Sequence, residues 1–299
     1  MTADHPTVVS TTPSGTEILY ALGVEPAAVS HACDHPPAVA DKPRINSSRV
    51  DADTSQERDA QADGDVYDID VELLRAIEPD LIVTQSVCGV CAVDEELVNA
   101  HLSDLSTTPT VLSMRASDCA DVVDCIHEVG DAVSRSDRAA DVAGHFESRI
   151  DGIRGRTAAA SERPNVVVLE WLDPLHAAAN WVPELIETAG GRYPLADPGQ
   201  RSVEIEWTRL LEIDPDVLVL SPCSLDVSGT VGRRAELGDR SGWDSLQAVQ
   251  SGQVYALDGR LLNRWTPRLA EAADRLARTL QPALFDGDVP LRPLVERPT

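Results

Sequence analysis

Two cysteines separated by two residues form the clearest chemical motif of this chain. Cys88 and Cys91 follow an apolar segment, residues 81–84, which predicts a buried strand. A pair with this spacing can bind a metal ion or alternate between dithiol and disulfide, and a zinc site needs two further ligands. The candidates on other predicted strand-end loops are Cys33, His35, His176 and Cys223. A metal site, a redox pair and simply packed thiols therefore all remain open.

A run of small polar residues lies where the first predicted strand leads into a helix. This run is Ser10-Thr-Thr-Pro-Ser-Gly-Thr-Glu17. Either Ser14 or Thr16 could cap the helix, and Glu17 could complete a capping box with Ser14. Backbone N–H groups at the start of a helix can also bind an anionic or polar ligand group. An ordinary helix cap and a ligand-binding turn are both consistent with this segment.

Three of the five tryptophans fall in loops that we expect to follow strands. These are Trp171, Trp181 and Trp265. Aromatic faces at such positions bind large flat ligands at little entropic cost. Core packing is the alternative, chiefly for Trp181, which directly precedes a predicted helix. Arg264 could pair with a carboxylate, phosphate or amide oxygen of a ligand, or it could be solvated.

The sequence lacks the common catalytic motifs. It contains no GxSxG elbow, Walker loop, GxGxxG or HExxH pattern. Asp34 and His35 could lie near Ser14, but nothing in their spacing requires a catalytic triad. We therefore expect a protein that is not an enzyme and that uses no catalytic cofactor.

A repeated pattern of predicted elements would position these residues. Residues 73–83 and 210–219 both contain two leucines, an isoleucine and a Pro-Asp pair followed by apolar residues. Each segment predicts the end of an amphipathic helix, a break at the proline and a buried strand. Two copies predict an α/β fold with two similar lobes of parallel-sheet, three-layer type, and a ligand cleft between the lobes.

The segment between the two repeats predicts helix without strand. Apolar residues recur there at spacings of three and four, at Val122, Cys125, Ile126, Val129, Val133, Val142, Phe146, Ile150 and Ile153. We predict an N-terminal lobe over residues 1–116, a helical segment over 117–160 and a C-terminal lobe over 161–299. The helical segment should include one long helix that joins the lobes.

The charge balance is strongly acidic, with 25 basic and 50 acidic residues and a formal net charge of −25. This balance excludes nucleic acid and anionic membranes as partners, because both require a basic surface. The acidic residues are spread along the chain, and Lys42 is the only lysine. Such a composition is typical of a halophilic protein, whose charges are screened by a high salt concentration.

The sequence shows no export or membrane segment. Residues 1–6 lack the basic and apolar regions of a signal peptide and a lipobox cysteine. No apolar run approaches the roughly 20 residues that a membrane span requires. As given, the chain predicts a cytoplasmic protein, whose six cysteines would then be reduced.

Several segments together resemble the cobalamin-binding type of substrate-binding protein of ABC transporters, which has a helical backbone and belongs to the class III periplasmic-binding-protein-like family. These segments are residues 9–23, 30–37, 73–91, 169–191 and 263–269. The resemblance implies two α/β lobes joined by a long helix, with a corrinoid held between them. Iron–siderophore and haem binders share this scaffold and remain alternatives. A thiol-dependent metal-binding protein using Cys88 and Cys91 is the other alternative.

The resemblance also implies which residues contact the ligand and a membrane partner. The ligand-binding candidates are Thr12, Pro13, Ser14, Asp34, His35, Gln85, Cys88, Trp171, His176, Trp181, Arg264 and Trp265. Either His35 or His176 could act as an axial ligand of cobalt. Exported relatives present one glutamate per lobe to the ABC permease, and Glu72 matches this position in the first lobe. The implied partners are therefore a corrinoid or metal chelate and an ABC permease, for a protein that is otherwise a monomer.

Overall fold

The computed structural model describes residues 6–48, 67–86, 95–102, 105–287 and 290–296. The chain divides into two compact units. The first unit consists of Met1–Ala116 with Ala120–His145, and the second consists of Ser117–Cys119 with Phe146–Thr299. Cys88 and Cys91 lie outside the described residues, so their metal or redox role stays a prediction. The three-part division into residues 1–116, 117–160 and 161–299 also stays a prediction.

The described strands of the first unit form one parallel sheet and one antiparallel pair. They are β1 (Val8–Ser10), β2 (Ala28–Val29), β3 (Asn46–Ser48), β4 (Tyr67–Ile69), β5 (Leu81–Gln85) and β6 (Thr110–Met114). The parallel sheet has the order β2-β1-β5-β6, and β3 pairs with β4. The runs of buried apolar residues in β1 and β5 are typical of strands covered on both faces.

The helices described in the first unit connect or follow these strands. They are α1 (Pro13–Ala21), α2 (Val71–Ile77), α3 (Glu95–His101) and α4 (Cys119–Ala132), of which α4 begins in the second unit. The predicted capping box at α1 is wrong, because the helix begins at Pro13 and Ser14 lies inside its first turn. Proline suits this first position, since its fixed φ is helical and the missing N–H would have no intrahelical partner.

The long helix predicted between the two repeats is α5 (Ser136–Thr157), with 22 residues. Residues 136–145 belong to the first unit and residues 146–157 to the second. Its apolar residues recur at spacings of three and four and are buried, including Ala139, Val142, Phe146, Ile150 and Ile153. The prediction of one long helix running from the first unit into the second is therefore confirmed.

The second unit is built on a mixed sheet with a parallel centre. Its described strands are β7 (Val166–Leu172), β8 (Leu175–Ala177), β9 (Val203–Glu204), β10 (Val217–Leu220), β11 (Val254–Ala256) and β12 (Arg292–Pro293). The order is β12-β11-β10-β7-β8-β9, in which β7, β10 and β11 are parallel. Strands β8, β9 and β12 are antiparallel to their neighbours.

Short helices fill most of the connections in the second unit. They are α6 (Val182–Thr188), α7 (Trp207–Ile213), α8 (Val227–Gly232), α9 (Ala235–Gly238), α10 (Gln247–Gln250), α11 (Gly259–Leu262) and α12 (Leu269–Leu280). The core of this unit includes Leu169, Leu218 and Trp243, whereas the core of the first unit includes Val9 and Ile82. The predicted α/β fold with two parallel-sheet units is confirmed.

The sequence repeat corresponds to a repeated backbone conformation. Helix α2 is followed by the capping residue Glu78, with φ 48° and ψ 62°, and helix α7 by the capping residue Asp214, with φ 44° and ψ 65°. The N–H of each residue donates to a buried leucine carbonyl four residues earlier, at 3.1 Å in both cases. Because left-handed residues stop a helix, the chain turns at these two positions into β5 and β10.

The aspartate of each Pro-Asp pair makes the same contact in both units. The carboxylate of Asp80 accepts a hydrogen bond from the N–H of Thr7 at 2.7 Å. The carboxylate of Asp216 accepts one from the N–H of Asn165, also at 2.7 Å. Thr7 precedes β1 and Asn165 precedes β7, so each aspartate ties the start of its own strand to the start of the parallel neighbour.

Candidate ligand-binding site

The carboxyl ends of β1 and β5 bring four buried polar side chains together. Ser10 lies opposite Val83 in the parallel register, so the residues that follow each of them are neighbours. The hydroxyl oxygens of Thr11 and Thr84 are 2.9 Å apart. The Thr12 hydroxyl donates to the side-chain carbonyl of Gln85, also at 2.9 Å. The structure thus places two of the predicted ligand-binding residues, Thr12 and Gln85, in direct contact.

The first turn of α1 lies directly against β5 because residue 15 is a glycine. A Cβ atom at Gly15 would lie only 2.7 Å from the Cγ1 atom of Val83. The N–H groups of Ser14 and Gly15 have no acceptor among the residues that the structure describes, as expected for the start of a helix. Pro13 has no N–H, and the N–H of Thr16 donates to the carbonyl of Thr12. Two backbone donors therefore remain for a ligand at this turn.

The loop after β2 carries the predicted residues Asp34 and His35. The Arg44 guanidinium donates to the carbonyls of Ser30 and Cys33, at 3.1 and 3.0 Å, and so fixes the first turn of this loop. The Sγ atom of Cys33 is 3.2 Å from the hydroxyl of Thr16, which joins the loop to α1. Asp34 is exposed and His35 is half-buried.

His31 begins this loop, and the sequence analysis did not select it. The ring is half-buried and contacts the side chains of Asn46 and Tyr67 on β3 and β4. Its position two residues after the end of a strand was the available signal. The contacts that make it distinctive come from residues 15 or more positions away, so the sequence alone gave no reason to choose it.

In the second unit, Trp171 lies near the end of β7 and is only 6% exposed. Its indole N–H donates to the carbonyl of Asp173 at 3.0 Å. The guanidinium carbon of Arg233 lies 4.6 Å from the centroid of the ring, and Arg233 also pairs with Glu236. One face of this tryptophan therefore stacks on an arginine instead of being open to a flat ligand.

His176 lies opposite Trp171 in the antiparallel pairing of β7 with β8. Its Nδ1 atom is 3.3 Å from the carbonyl oxygen of Pro174. Because a carbonyl oxygen only accepts, this nitrogen must carry the hydrogen. The neutral ring then has its lone pair on Nε2, which is the arrangement that a metal-binding histidine needs.

Trp181 and Trp265 pack against each other edge to face, with ring centroids 5.7 Å apart, and each is 4% exposed. The indole N–H of Trp181 donates to the carbonyl of Leu262 at 2.8 Å. Arg264 is also buried, so the alternative of a solvated arginine is wrong. These residues are buried, and their contact with a ligand stays a prediction.

Two buried polar atoms near these residues lack a hydrogen-bond partner within the described part of the chain. They are the hydroxyl oxygen of Ser221, directly after β10, and the indole nitrogen of Trp265. Buried polar atoms without partners are uncommon in native proteins, and a ligand or an ordered water molecule usually supplies the missing contact. This end of the second sheet therefore retains capacity for hydrogen bonding.

No described group of three or more histidine, cysteine or acidic side chains could hold a metal ion. The proposed additional zinc ligands Cys33, His35, His176 and Cys223 therefore do not form a metal cluster within the described residues. Two further thiols, Cys119 and Cys125, are buried. Burial raises the pKa of Cys125 to about 12 and raises that of Cys119 still further above its ordinary value.

A sequence profile of the periplasmic binding protein family matches residues 8–261. The chain belongs to this family. It is similar to an uncharacterized ABC transporter substrate-binding lipoprotein from Bacillus subtilis strain 168, with 23% identity covering 93% of this chain and 81% of that protein. It is also similar to the vitamin B12-binding protein of Vibrio cholerae, with 24% identity covering 92% of this chain and 88% of that protein.

A solved member of similar fold is a periplasmic heme-binding protein from Pseudomonas aeruginosa. It matches with a TM-score of 0.75 and 20% identity, covering 99% of this chain and 100% of that chain. At this level of identity the likeness confirms the fold of the periplasmic binding protein family. The predicted cytoplasmic location gains no support from relatives named as lipoproteins or periplasmic proteins. No helix among the described residues is long and apolar enough to cross a membrane.

Within this family, the predicted permease contact falls on an exposed helix. The side chain of Glu72 is 84% exposed in the first turn of α2 and pairs with Arg75. Thr208 occupies the equivalent position of α7 and is also exposed. Glu72 is therefore accessible, and its role in docking stays a prediction.

Proposed function

We propose that this protein binds a corrinoid of the cobalamin type, without chemical conversion, as the substrate-binding component of an ABC transporter. The similarity to the vitamin B12-binding protein of Vibrio cholerae over 92% of the chain carries this proposal. The exposed carboxylate of Glu72 supports an ABC permease as the membrane partner. The haem binder of similar fold makes haem the alternative ligand to be tested beside cobalamin.

The polar groups at the carboxyl ends of the two sheets suit such a ligand. A corrin ring carries amide side chains, each with a carbonyl acceptor and an N–H donor. Ser14 and Gly15 offer backbone donors at the start of α1, and the Thr12–Gln85 pair lies beside them. Ser221 and Trp265 offer the unpaired hydroxyl and indole N–H in the second unit. The ligand cleft between the lobes stays a prediction from the sequence.

Optical titration of the purified protein tests the proposal. We expect cyanocobalamin to bind with a stoichiometry near one and with a spectral shift. If haemin binds stoichiometrically and cyanocobalamin causes no spectral change, the ligand is haem and not a corrinoid. Copurification of zinc or iron that is lost in Cys88→Ser would favour the thiol-dependent alternative.

A matched pair of substitutions on β1 tests the site itself. Thr12→Val removes the hydroxyl that holds Gln85, and we expect cyanocobalamin binding to weaken about tenfold, the value of one hydrogen bond. Thr11→Val removes an equally buried hydroxyl that contacts Thr84, and it should lower stability without changing affinity. Equal effects of both variants on affinity would contradict a specific role of the Thr12 hydroxyl in ligand binding.

A further inference from the structure

Contacts within the described residues hold the imidazole of His31 at its Nδ1 atom and at its ring. Its Nδ1 atom lies 3.1 Å from the amide nitrogen of Asn46 and 3.5 Å from the hydroxyl of Ser30. Its ring lies 5.3 Å from that of Tyr67, with the planes inclined at 44°. Among the residues that the structure describes, no hydrogen bond is made by the opposite nitrogen, Nε2.

The backbone fixes which atom of Asn46 faces the ring. The main-chain N–H of His31, which can only donate, lies 3.1 Å from one side-chain atom of Asn46, so that atom must be the amide oxygen. The other atom is then the NH2 group, and it donates to Nδ1 of the ring. Asn46 is 3% exposed, which leaves its amide little freedom to turn over. An Nδ1 atom that accepts a hydrogen bond carries no hydrogen, so the neutral ring carries it on Nε2.

The surroundings also keep the ring uncharged. Burial lowers the pKa of His31 below its ordinary value, and the nearby Arg44 guanidinium lowers it further. At neutral pH the ring is therefore a neutral donor at Nε2, held in one orientation at the end of β2.

We propose that His31 is a specificity-determining residue, which donates its Nε2 hydrogen to an acceptor oxygen of the ligand and does not coordinate the metal. On a corrinoid, this oxygen would be an amide carbonyl of the ring periphery. The inference rests on the proposed function and names one contact within it. It also separates His31 from His176, whose ring carries its hydrogen on Nδ1. A donor held in one orientation selects against a ligand that presents an N–H group at this point, because two donors would then face each other.

Nitrogen NMR tests the state of the ring without any ligand. In protein labelled with ¹⁵N-histidine, the signals that disappear in His31→Gln belong to His31. We expect these signals to show a hydrogen on Nε2 and a lone pair on Nδ1 at pH 7.5. A ring that is charged at this pH, or that carries its hydrogen on Nδ1, would overturn the proposal whether or not the protein binds cobalamin.

Binding of cyanocobalamin tests the donor role. His31→Gln keeps an N–H group at about the position of Nε2, and its affinity should stay within about threefold of the wild type. His31→Leu removes the donor and should weaken binding about tenfold, the value of one hydrogen bond. His145→Leu is the control, since His145 is exposed on α5. If His31→Leu binds like the wild type, the ring makes no contact with the ligand.

Asn46→Asp should move the hydrogen of the His31 ring from Nε2 to Nδ1. This change gives a measurable effect that a purely structural role would not produce. A carboxylate accepts from both the backbone and the ring, so at pH 9 the hydrogen should move to Nδ1 and affinity should fall as in His31→Leu. At pH 6 the ring of this variant should be charged and donate from both nitrogens, so affinity should recover. Arg44 and Tyr67 are the other ionisable groups near the ring. An affinity that does not depend on pH in this variant would contradict the proposal.

Failure of the two proposals can be told apart. If wild-type protein binds no cyanocobalamin, the proposed corrinoid function is wrong, and the NMR measurement still decides the state of His31. The same variants are then titrated with haemin, whose carboxylates are also acceptors. If wild-type protein binds either ligand and the His31 variants bind equally well, only the inference about His31 is wrong.

Discussion

Gly15 controls how closely the start of α1 approaches the sheet. Any side chain there would meet Val83, and a Cβ atom would also lie 3.1 Å from the terminal carbon of Met114 and from the hydroxyl oxygen of Ser10. The first turn of the helix, with its two unpaired N–H groups, therefore keeps its position only if residue 15 is a glycine. The predicted ligand contacts of Thr12, Pro13 and Ser14 depend on this approach.

We expect Gly15→Ala to lower the free energy of unfolding by about 1–3 kcal/mol, because the packed strand must move to admit the methyl group. It should also weaken cyanocobalamin binding. Gly144→Ala is the control, since a Cβ atom at this exposed position of α5 meets nothing within 4 Å. That variant should gain about 0.5–1 kcal/mol from the higher helix propensity of alanine. Chemical denaturation of both variants measures the difference.

At single positions, the sequence predicted which residues come together better than it predicted their exposure. Thr12 and Gln85 were both selected, and they are in contact. For the three selected tryptophans the sequence left a ligand-binding face and core packing both open, and the structure shows all three buried. The reason is that their partners are distant in the sequence, as with Arg233 over Trp171 and the Leu262 carbonyl beside Trp181. A loop position predicts that a residue follows a strand, not what covers it.

The Pro-Asp segments before β5 and β10 show how the two units use the same sequence element. In both, a helix ends in a left-handed acidic residue, a buried proline follows, and the next aspartate binds the N–H before the neighbouring strand. The Pro-Asp repeat therefore encodes a contact between strands as well as a break between helix and strand. The sequence alone revealed the repeat, since apolar runs after proline are strong strand signals.

We expect Asp80→Ala and Asp216→Ala to destabilise the protein by similar amounts, about 1 kcal/mol each, because each removes one hydrogen bond to a charged acceptor. Asp80→Asn and Asp216→Asn retain an acceptor oxygen and should lose less. Urea denaturation of the four variants gives the comparison. A loss confined to one of the two aspartates would contradict an equivalent role.

The short antiparallel strands β8 and β9 were not predicted from the sequence. They contain three and two residues, too few to show the alternation that identifies a strand. Strand β8 takes the place beside β7 that β2 takes beside β1, but it runs in the opposite direction. Direction in such a pair is set by the length of the connection, and two residues between β7 and β8 permit only an antiparallel return.

Helix α2 offers a direct test of the permease contact. Glu72→Gln should reduce ligand uptake in a host that carries the transporter, while the affinity of the purified protein for the ligand stays unchanged. Glu212→Gln is the control, because Glu212 on α7 is also exposed and also pairs with an arginine three residues away. Equal uptake by both variants would remove Glu72 from the docking surface.

The net charge of −25 affects the molecule as a whole. Ion pairs such as Arg75–Glu72 and Arg209–Glu212 lie at the surface, where each contributes little. With twice as many acidic as basic residues, one-to-one pairing leaves at least half of the carboxylates without a cation, and their mutual repulsion opposes the compact state. Salt reduces this repulsion, since the screening length falls from about 10 Å at 0.1 M to about 3 Å at 1 M.

We expect the melting temperature to rise by several degrees between 0.1 M and 2 M KCl, and NaCl to act similarly. Glycerol at matched viscosity serves as the non-ionic control. A melting temperature that is unchanged over this range would mean that charge repulsion does not limit stability. The interpretation of the composition as halophilic would then be wrong. Calorimetry or circular dichroism gives the measurement.

Helix α5 contributes buried residues to both units, with Ala139 and Val142 in the first and Phe146, Ile150 and Ile153 in the second. If one unit unfolds, its end of α5 loses the residues it packs against, and the other unit depends on the same helix. Folding of the two halves is thereby coupled through a shared element. The cooperative behaviour of the chain should accordingly resemble that of one domain, although its sheets form two.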